Sequence, residues 1–406
     1  MTKAAVVLAG PTGTPSFARA VGFDERTWDR PWNIARGHVT MAERMPTATL
    51  VAGETHAWTD GPRLELESLV AGDALFDGEL PFERFLDQRL MNDGLLVVHN
   101  GRMIAERYSN GLEPMTHHVV HSCSKTLTAM LIGWAVDAGH LRTQTPVTDL
   151  VVELAASPAW KGVTLQHLLD MSAGLESEEH YENPHSMYWR YADAVGYYGS
   201  RGDEIGVLAF VERELNRRAC EPGSVFNYAS YLSNLIPIMI ERASGADYLS
   251  LLHQHIFSRI GAESCAQINV DVFDRPIVEG QVNLTLRDFA RWSHLLANEG
   301  RNLVGEQVIP SWWVDEAFTS SPERRSAFER SEYSAMFPVA EYHNQSWLLD
   351  PAQHHLVMLG IHGQFAYVDR DRQLMIVGMS SFPDQANGLF ATYLKETWST
   401  ITRAID

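Results

Sequence analysis

His121-Ser122-Cys123-Ser124-Lys125-Thr126 is the stretch on which the reading of this 406-residue chain turns. It contains Ser-x-x-Lys, and apolar residues follow it at helical spacing: Leu127, Met130, Leu131, Trp134, Ala135 and Ala138, with Gly139 as the stop. The spacing predicts a strongly amphipathic helix. On such a helix Ser122 and Lys125 lie one turn apart on a shared face. The positive end of the helix dipole disfavours a further positive charge and pushes the lysine toward its neutral form. A neutral amine can take the serine proton and make the hydroxyl a nucleophile. Four residues recur by chance, so the value of the pattern depends on its surroundings.

Just upstream, Leu95 to Val98 and Met103 to Ala105 flank Asn100-Gly101, a type I′ signal that predicts a β-hairpin over 94–108. Downstream, Pro146 to Leu150 reads as a turn, and Thr164 reads as the N-cap of a short helix. His180 to Tyr198 is crowded with tyrosines and lacks a period, which suits a loop or short helices covering a pocket. Helices are expected after Ser230, with Gly245 as a stop, and from Thr285. Phe365 to Asp369 and Leu374 to Met379 read as paired strands joined by a charged turn, and a helix from about Gly388 closes the chain. Strands near both ends and helices between them predict an α+β fold. It has one antiparallel sheet built from both ends of the ordered region, flanked by helices, with a mainly helical lobe inserted over roughly 125–290. Residues 1–80 lack a pattern and are expected to be extended chain packed on a domain spanning 81–406.

Two further motifs follow Ser-x-x-Lys in order. One is Pro222-Gly223-x4-Tyr228-Ala229-Ser230; the other is Gly360-Ile361-His362-Gly363-Gln364, just before a strand. With these the chain resembles the serine hydrolases of the class C β-lactamase and penicillin-binding protein superfamily, which carry Ser-x-x-Lys, a Tyr-x-Asn or Tyr-x-Ser, and a Lys-Thr-Gly or His-x-Gly strand motif. TLQHLLDMSAGL (164–175) and GIHGQFAYVD (360–369) extend the resemblance over roughly residues 90–400. Within that superfamily it is most similar to the 6-aminohexanoate-dimer hydrolases and related esterases. Asp170-Met171, Tyr181 with Pro184, Tyr228-x-Ser230, the Ile-His-Gly-Gln tetrad and Trp32 in Pro-Trp-Asn carry that likeness.

The resemblance implies acyl transfer. Ser122 attacks a carbonyl, Lys125 accepts its proton, and Tyr228 relays a proton to the leaving group; which of the two is the base stays open. It places the oxyanion on the backbone N–H groups of Ser122 and Gln364, and substrate contacts on Tyr181, Ser230, His362 and Gly363. The chain departs from the pattern in carrying Ile361 where Lys-Thr-Gly has its lysine, His362 at the threonine, and Ser230 for the class C asparagine. β-Lactamases use those groups to hold their substrates, so the departures favour short esters or small linear or cyclic amides. Two alternatives stand beside hydrolysis: an acyltransferase, and a catalytically idle penicillin-binding or sensor module. Ser122 as a plain N-cap, Tyr228 as a core tyrosine, Tyr181 as loop packing and His362 as a structural histidine are the unreactive readings.

Composition narrows the partners. Acidic residues outnumber basic ones, 51 to 32, for a formal charge of -19, which argues against nucleic acid and anionic membranes. The expected partner is a small ester or amide, with a homodimer left open. Three widely spaced cysteines, Cys123, Cys220 and Cys265, fit neither a disulfide framework nor a zinc site. No signal peptide or membrane span is read, so a cytoplasmic location is expected. His117 and His121 stand four apart, a ligand spacing on a helix. The β-branched run between them and the lack of a neighbouring carboxylate argue against a metal, and no cofactor is expected.

Overall fold

A computed structural model describes residues 5–14, 16–73, 75–76 and 78–406. A seven-stranded antiparallel sheet takes strands from two distant parts of the chain. Its order is Glu341–His343, Ser346–Leu348, His355–Gly360, Gln364–Asp369, Leu374–Ser380, Asn92–His99 and Arg102–Tyr108. The central pairing sets Val377 opposite Leu96 and Ile376 opposite Val97, joining the late strands to the early hairpin. Asn100 and Gly101 both take positive φ, 51° and 71°, as a type I′ turn requires. The C-terminal helix Gly388–Ile405, capped by Asn387, packs Trp398 against Phe365 and Tyr367 of the sheet. The expected fold class, an antiparallel sheet flanked by helices with a helical lobe between its halves, is the one observed.

A second, five-stranded antiparallel sheet joins Val6–Ala9, Thr47–Leu50, Ala266–Asn269, Val282–Leu284 and His118–Val119. Residues 6–9 and 47–50 therefore form strands where the sequence shows no periodicity. Four residues are too few to display an alternation; 6–9 pairs with 47–50, whose other partner at 266–269 lies more than 200 residues away.

The helix Cys123–Asp137 also departs from expectation. It is not amphipathic in its setting: every residue from Cys123 to Gly133 is buried. Its polar side chains are satisfied internally. Thr126 donates to the Gln345 carbonyl, Thr128 to the Ser124 carbonyl, and Ser124 Oγ accepts from the Val282 amide. A helix buried all round, with its polar groups paired, is a fixed platform for the residue at its start. Thr164 and His167 form a reciprocal capping box on Leu165–Leu169, and Thr285 caps Leu286–Ala297 through the Asp288 amide. Among the described residues no helix is long and apolar enough to cross a membrane.

Candidate active site

Ser122 is half-buried and stands at the turn into the helix Cys123–Asp137. His121 before it has φ 43°, a left-handed conformation that costs a non-glycine residue about 1 kcal/mol. That residue turns the chain from the strand His118–Val119 into the helix within a few positions. Gly360 is needed alongside: a β-carbon there would come within 2.7 Å of the Val120 carbonyl oxygen.

Lys125 is fully buried, and its Nζ lies 2.9 Å from Ser122 Oγ. Nζ also donates to the Glu279 carbonyl at 2.6 Å and sits 5.0 Å from the centre of the Tyr228 ring. Burial pushes the Lys125 amine below its usual range; the carboxylates of Glu179 and Glu279 oppose this. Burial also pushes the Tyr228 phenol up, helped by Glu179 and opposed by hydrogen bonding to Ser122 and Ser230. Both shifts run in the direction of the uncharged forms of the two groups around one serine hydroxyl.

Tyr228 is held by aromatic packing, with Trp347 stacked on it at 5.6 Å between ring centres. Ser230, two residues on, donates to Glu179 through its hydroxyl at 2.7 Å and its amide at 2.6 Å. Tyr181 donates its hydroxyl to the same carboxylate. Glu179 is thereby the hub that fixes Tyr181 and Ser230. It ends the acidic run Glu176 to Glu179, which in sequence looks like solvated surface, and nothing local marks its buried role. Glu279 is also buried; burial pushes its carboxyl up to about 7, with Lys125 opposing, and it accepts from Tyr191 at 2.9 Å.

Two cavities meet at Ser122. An apolar one of about 110 Å³ is lined by Tyr228, Trp347, Leu359, Ile361 and Phe390. A small crevice of about 10 Å³ is lined by Glu179, Tyr181, Ser230, Glu279 and Ile361. Ile361 and Tyr181 line both, and Gly360 joins Ile361 in the apolar cavity.

The structure brings Ser122, Lys125, Tyr228, Tyr181 and Ser230 together and sets three expected residues apart. Gln364 lines neither cavity; it is buried, its side chain bonded to the Ser380 backbone at 2.7 and 3.1 Å. His362 is buried with φ 62°, its Nδ1 2.8 Å from the Phe382 carbonyl, and it too faces neither cavity. Gly363, at φ 100°, is a packing position, since a β-carbon there would lie 2.5 Å from that of Ser380. The physical reason is the short turn Ile361–Gly363. Its two positive-φ residues swing the later half of the motif into the interior and leave Ile361 on the cavity wall.

The family model described as Beta-lactamase matches residues 82–394. A 6-aminohexanoate-dimer hydrolase of Paenarthrobacter ureafaciens is 27% identical over 354 residues, covering 87% of this chain and 86% of that protein. A Bacillus anthracis protein that carries the name 6-aminohexanoate-dimer hydrolase superposes with a TM-score of 0.83 at 22% identity, over 96% of this chain and 98% of its own. A family VIII carboxylesterase superposes with a TM-score of 0.58 at 15% identity, over 78% and 95% of the two chains. At those identities the two structures speak for the fold. The chain belongs to the beta-lactamase family of hydrolases.

Proposed function

We propose that this protein is a serine hydrolase that cleaves short esters or small amides through an acyl-enzyme on Ser122. The observation that carries the reading is the 2.9 Å approach of Lys125 Nζ to Ser122 Oγ, with the amine buried in surroundings that push it toward its neutral form. Ser122 Oγ–H passes its proton to Lys125 as Oγ adds to the carbonyl carbon. The Tyr228 hydroxyl, uncharged and beside Ser122, gives a proton to the leaving oxygen or nitrogen and recovers one from Lys125. The developing oxyanion is held by the backbone N–H of Ser122 and, because Ile361 rather than Gln364 lines the cavity, by that of Ile361. Each such donor is worth about 3 kcal/mol in the transition state.

The apolar cavity suits the hydrocarbon part of the substrate. The small crevice beside Glu179 and Ser230 is large enough for about one water molecule, which the neutral Lys125 can activate to release the acyl group. The two hydrolase names among the relatives, one for an amide and one for carboxylic esters, agree with this range. Tyr181 and Ser230, tied through Glu179, are proposed to position the scissile group, with Tyr181 also lining the apolar cavity. Rapid quenching of the enzyme with p-nitrophenyl acetate, followed by peptide mass spectrometry, tests the reading. An acetyl group on Ser122 is expected; turnover with no acyl adduct on Ser122 in a burst-phase quench would refute it.

A further inference from the structure

On the inner side of the nucleophile turn lies a cluster the hydrolysis does not use. His38, His118, His121 and His362 are all buried, with ring centres 4.8 to 5.6 Å apart for the pairs in contact. Asp93, buried in the strand Asn92–His99, faces His118, with Oδ2 3.4 Å from Nε2. One ligand atom from each of His38, Asp93 and His118 lies within 4.8 Å of the other two. We propose that His38, Asp93 and His118 form a structural site for a divalent cation of the zinc class.

Hydrogen bonding is the first argument. His118 Nδ1 lies 2.8 Å from the Val119 carbonyl, and a carbonyl only accepts, so Nδ1 carries the hydrogen. In the neutral ring Nε2 then presents a lone pair to the Asp93 carboxylate. Asp93 already accepts from the Ser381 hydroxyl and the Asn110 amide. Two electron-rich atoms 3.4 Å apart in the interior need positive charge between them. A proton on Nε2 would serve that pair alone. It would leave His38 Nδ1, buried and without a hydrogen-bond partner, unsatisfied. A cation bound by all three residues serves the whole set.

Geometry and chemistry agree. Tetrahedral zinc with bonds of about 2.0–2.1 Å sets its donor atoms about 3.3 Å apart. The Asp93–His118 separation already matches this, and within the 4.8 Å bound His38 needs to close by up to about 1.5 Å. Two imidazoles and one carboxylate suit zinc better than calcium or magnesium, which favour all-oxygen sites. The outer contacts resemble those that orient metal ligands: His118 to Val119, Asp93 to Ser381 and Asn110, and His38 Nε2 to His121 Nε2 at 3.1 Å. A water would complete four-coordination.

The three residues come from separate parts of the fold. His38 ends the helix Ile34–His38, Asp93 lies in the large sheet, and His118 lies in the second sheet three residues before His121. A cation there would tie the N-terminal segment to both sheets beneath Ser122. In sequence the histidines stand without a carboxylate; the fold supplies Asp93 from 25 positions upstream.

The test is metal content of the full chain, purified without a polyhistidine tag or chelator from zinc-supplemented medium. Plasma mass spectrometry should find close to one zinc per chain. His38→Gln should hold less than a tenth of that, while His354→Ala, at an exposed histidine, should hold as much as wild type. Should His38→Gln not fold, wild type stripped with dipicolinate and titrated with zinc chloride alone should rebind one equivalent, with a rise in Tm of several degrees. Under a tenth of an equivalent in wild type, both as isolated and after zinc titration, would overturn the proposal. So would full zinc content in folded His38→Gln, or its loss in His354→Ala, either of which would mean adventitious zinc only.

Discussion

Lys125 Nζ lies 2.9 Å from Ser122 Oγ, and the same nitrogen donates to the Glu279 carbonyl at 2.6 Å. One contact meets the proton the amine must take; the other fixes where the amine points. Both ends of the relation are set by a helix buried on all sides, so the geometry is built into the core rather than held at a flexible surface.

Tyr228 is assigned the proton delivered to the leaving group. Tyr228→Phe keeps the ring packed against Trp347 and removes only the hydroxyl. We expect kcat to fall by about 10²–10⁴ with KM changed far less. Steady-state kinetics with p-nitrophenyl butyrate and with an unactivated alkyl ester measure this. The alkyl ester should suffer more, because p-nitrophenolate leaves without protonation.

Glu279 should set the acid limb of the pH profile. The reaction needs neutral Lys125, so kcat/KM rises with pH as the amine loses its proton. The Glu279 carboxylate favours the ammonium form and raises that pKa. Glu279→Gln removes the charge, so the limb should move to lower pH. An unmoved limb, or one displaced upward, contradicts Lys125 as the base.

The same carboxyl makes a stability prediction. Its pKa is raised from 4.5 to about 7 by burial, so the folded protein holds a proton there that the unfolded chain releases. The stability linked to that proton is fully present below about pH 4.5 and is lost as pH rises through about 7. The full effect is about 3 kcal/mol at most. Denaturant unfolding of wild type should show this decline between pH 5 and 8, and Glu279→Gln should flatten it.

How far the sequence anticipates the site depends on where the information is local. Asn100-Gly101 announces its turn because two positive φ angles leave few other residues able to occupy it. Ser122, Lys125 and Tyr228 are legible because three motifs stand in a fixed order. The second sheet is not legible: its strands have two to four residues each and pair across long separations. Nor is the division of labour within Gly360 to Gln364. The left-handed His362 turns that motif inward, and only the folded chain shows Ile361 on the cavity and Gly363 against Ser380. Glu179 and Asp93 each look like one acidic residue among 51 until the fold buries them beside hydroxyls and histidine.

Gly363 gives that last point an experimental edge. A side chain there meets Ser380 and an unfavourable φ of 100°. Gly363→Ala should lower stability by about 1–3 kcal/mol, read in denaturant unfolding. A variant of wild-type stability with a raised KM would instead return Gly363 to substrate contact.

The account rests on Ser122 as the nucleophile. The most direct measurement is turnover of p-nitrophenyl butyrate by Ser122→Ala, with circular dichroism and Tm confirming the fold. A loss of about a thousandfold or more in kcat/KM, with Tm within a few degrees of wild type, is the expected result. A folded Ser122→Ala enzyme that turns over the ester at the wild-type rate would contradict it.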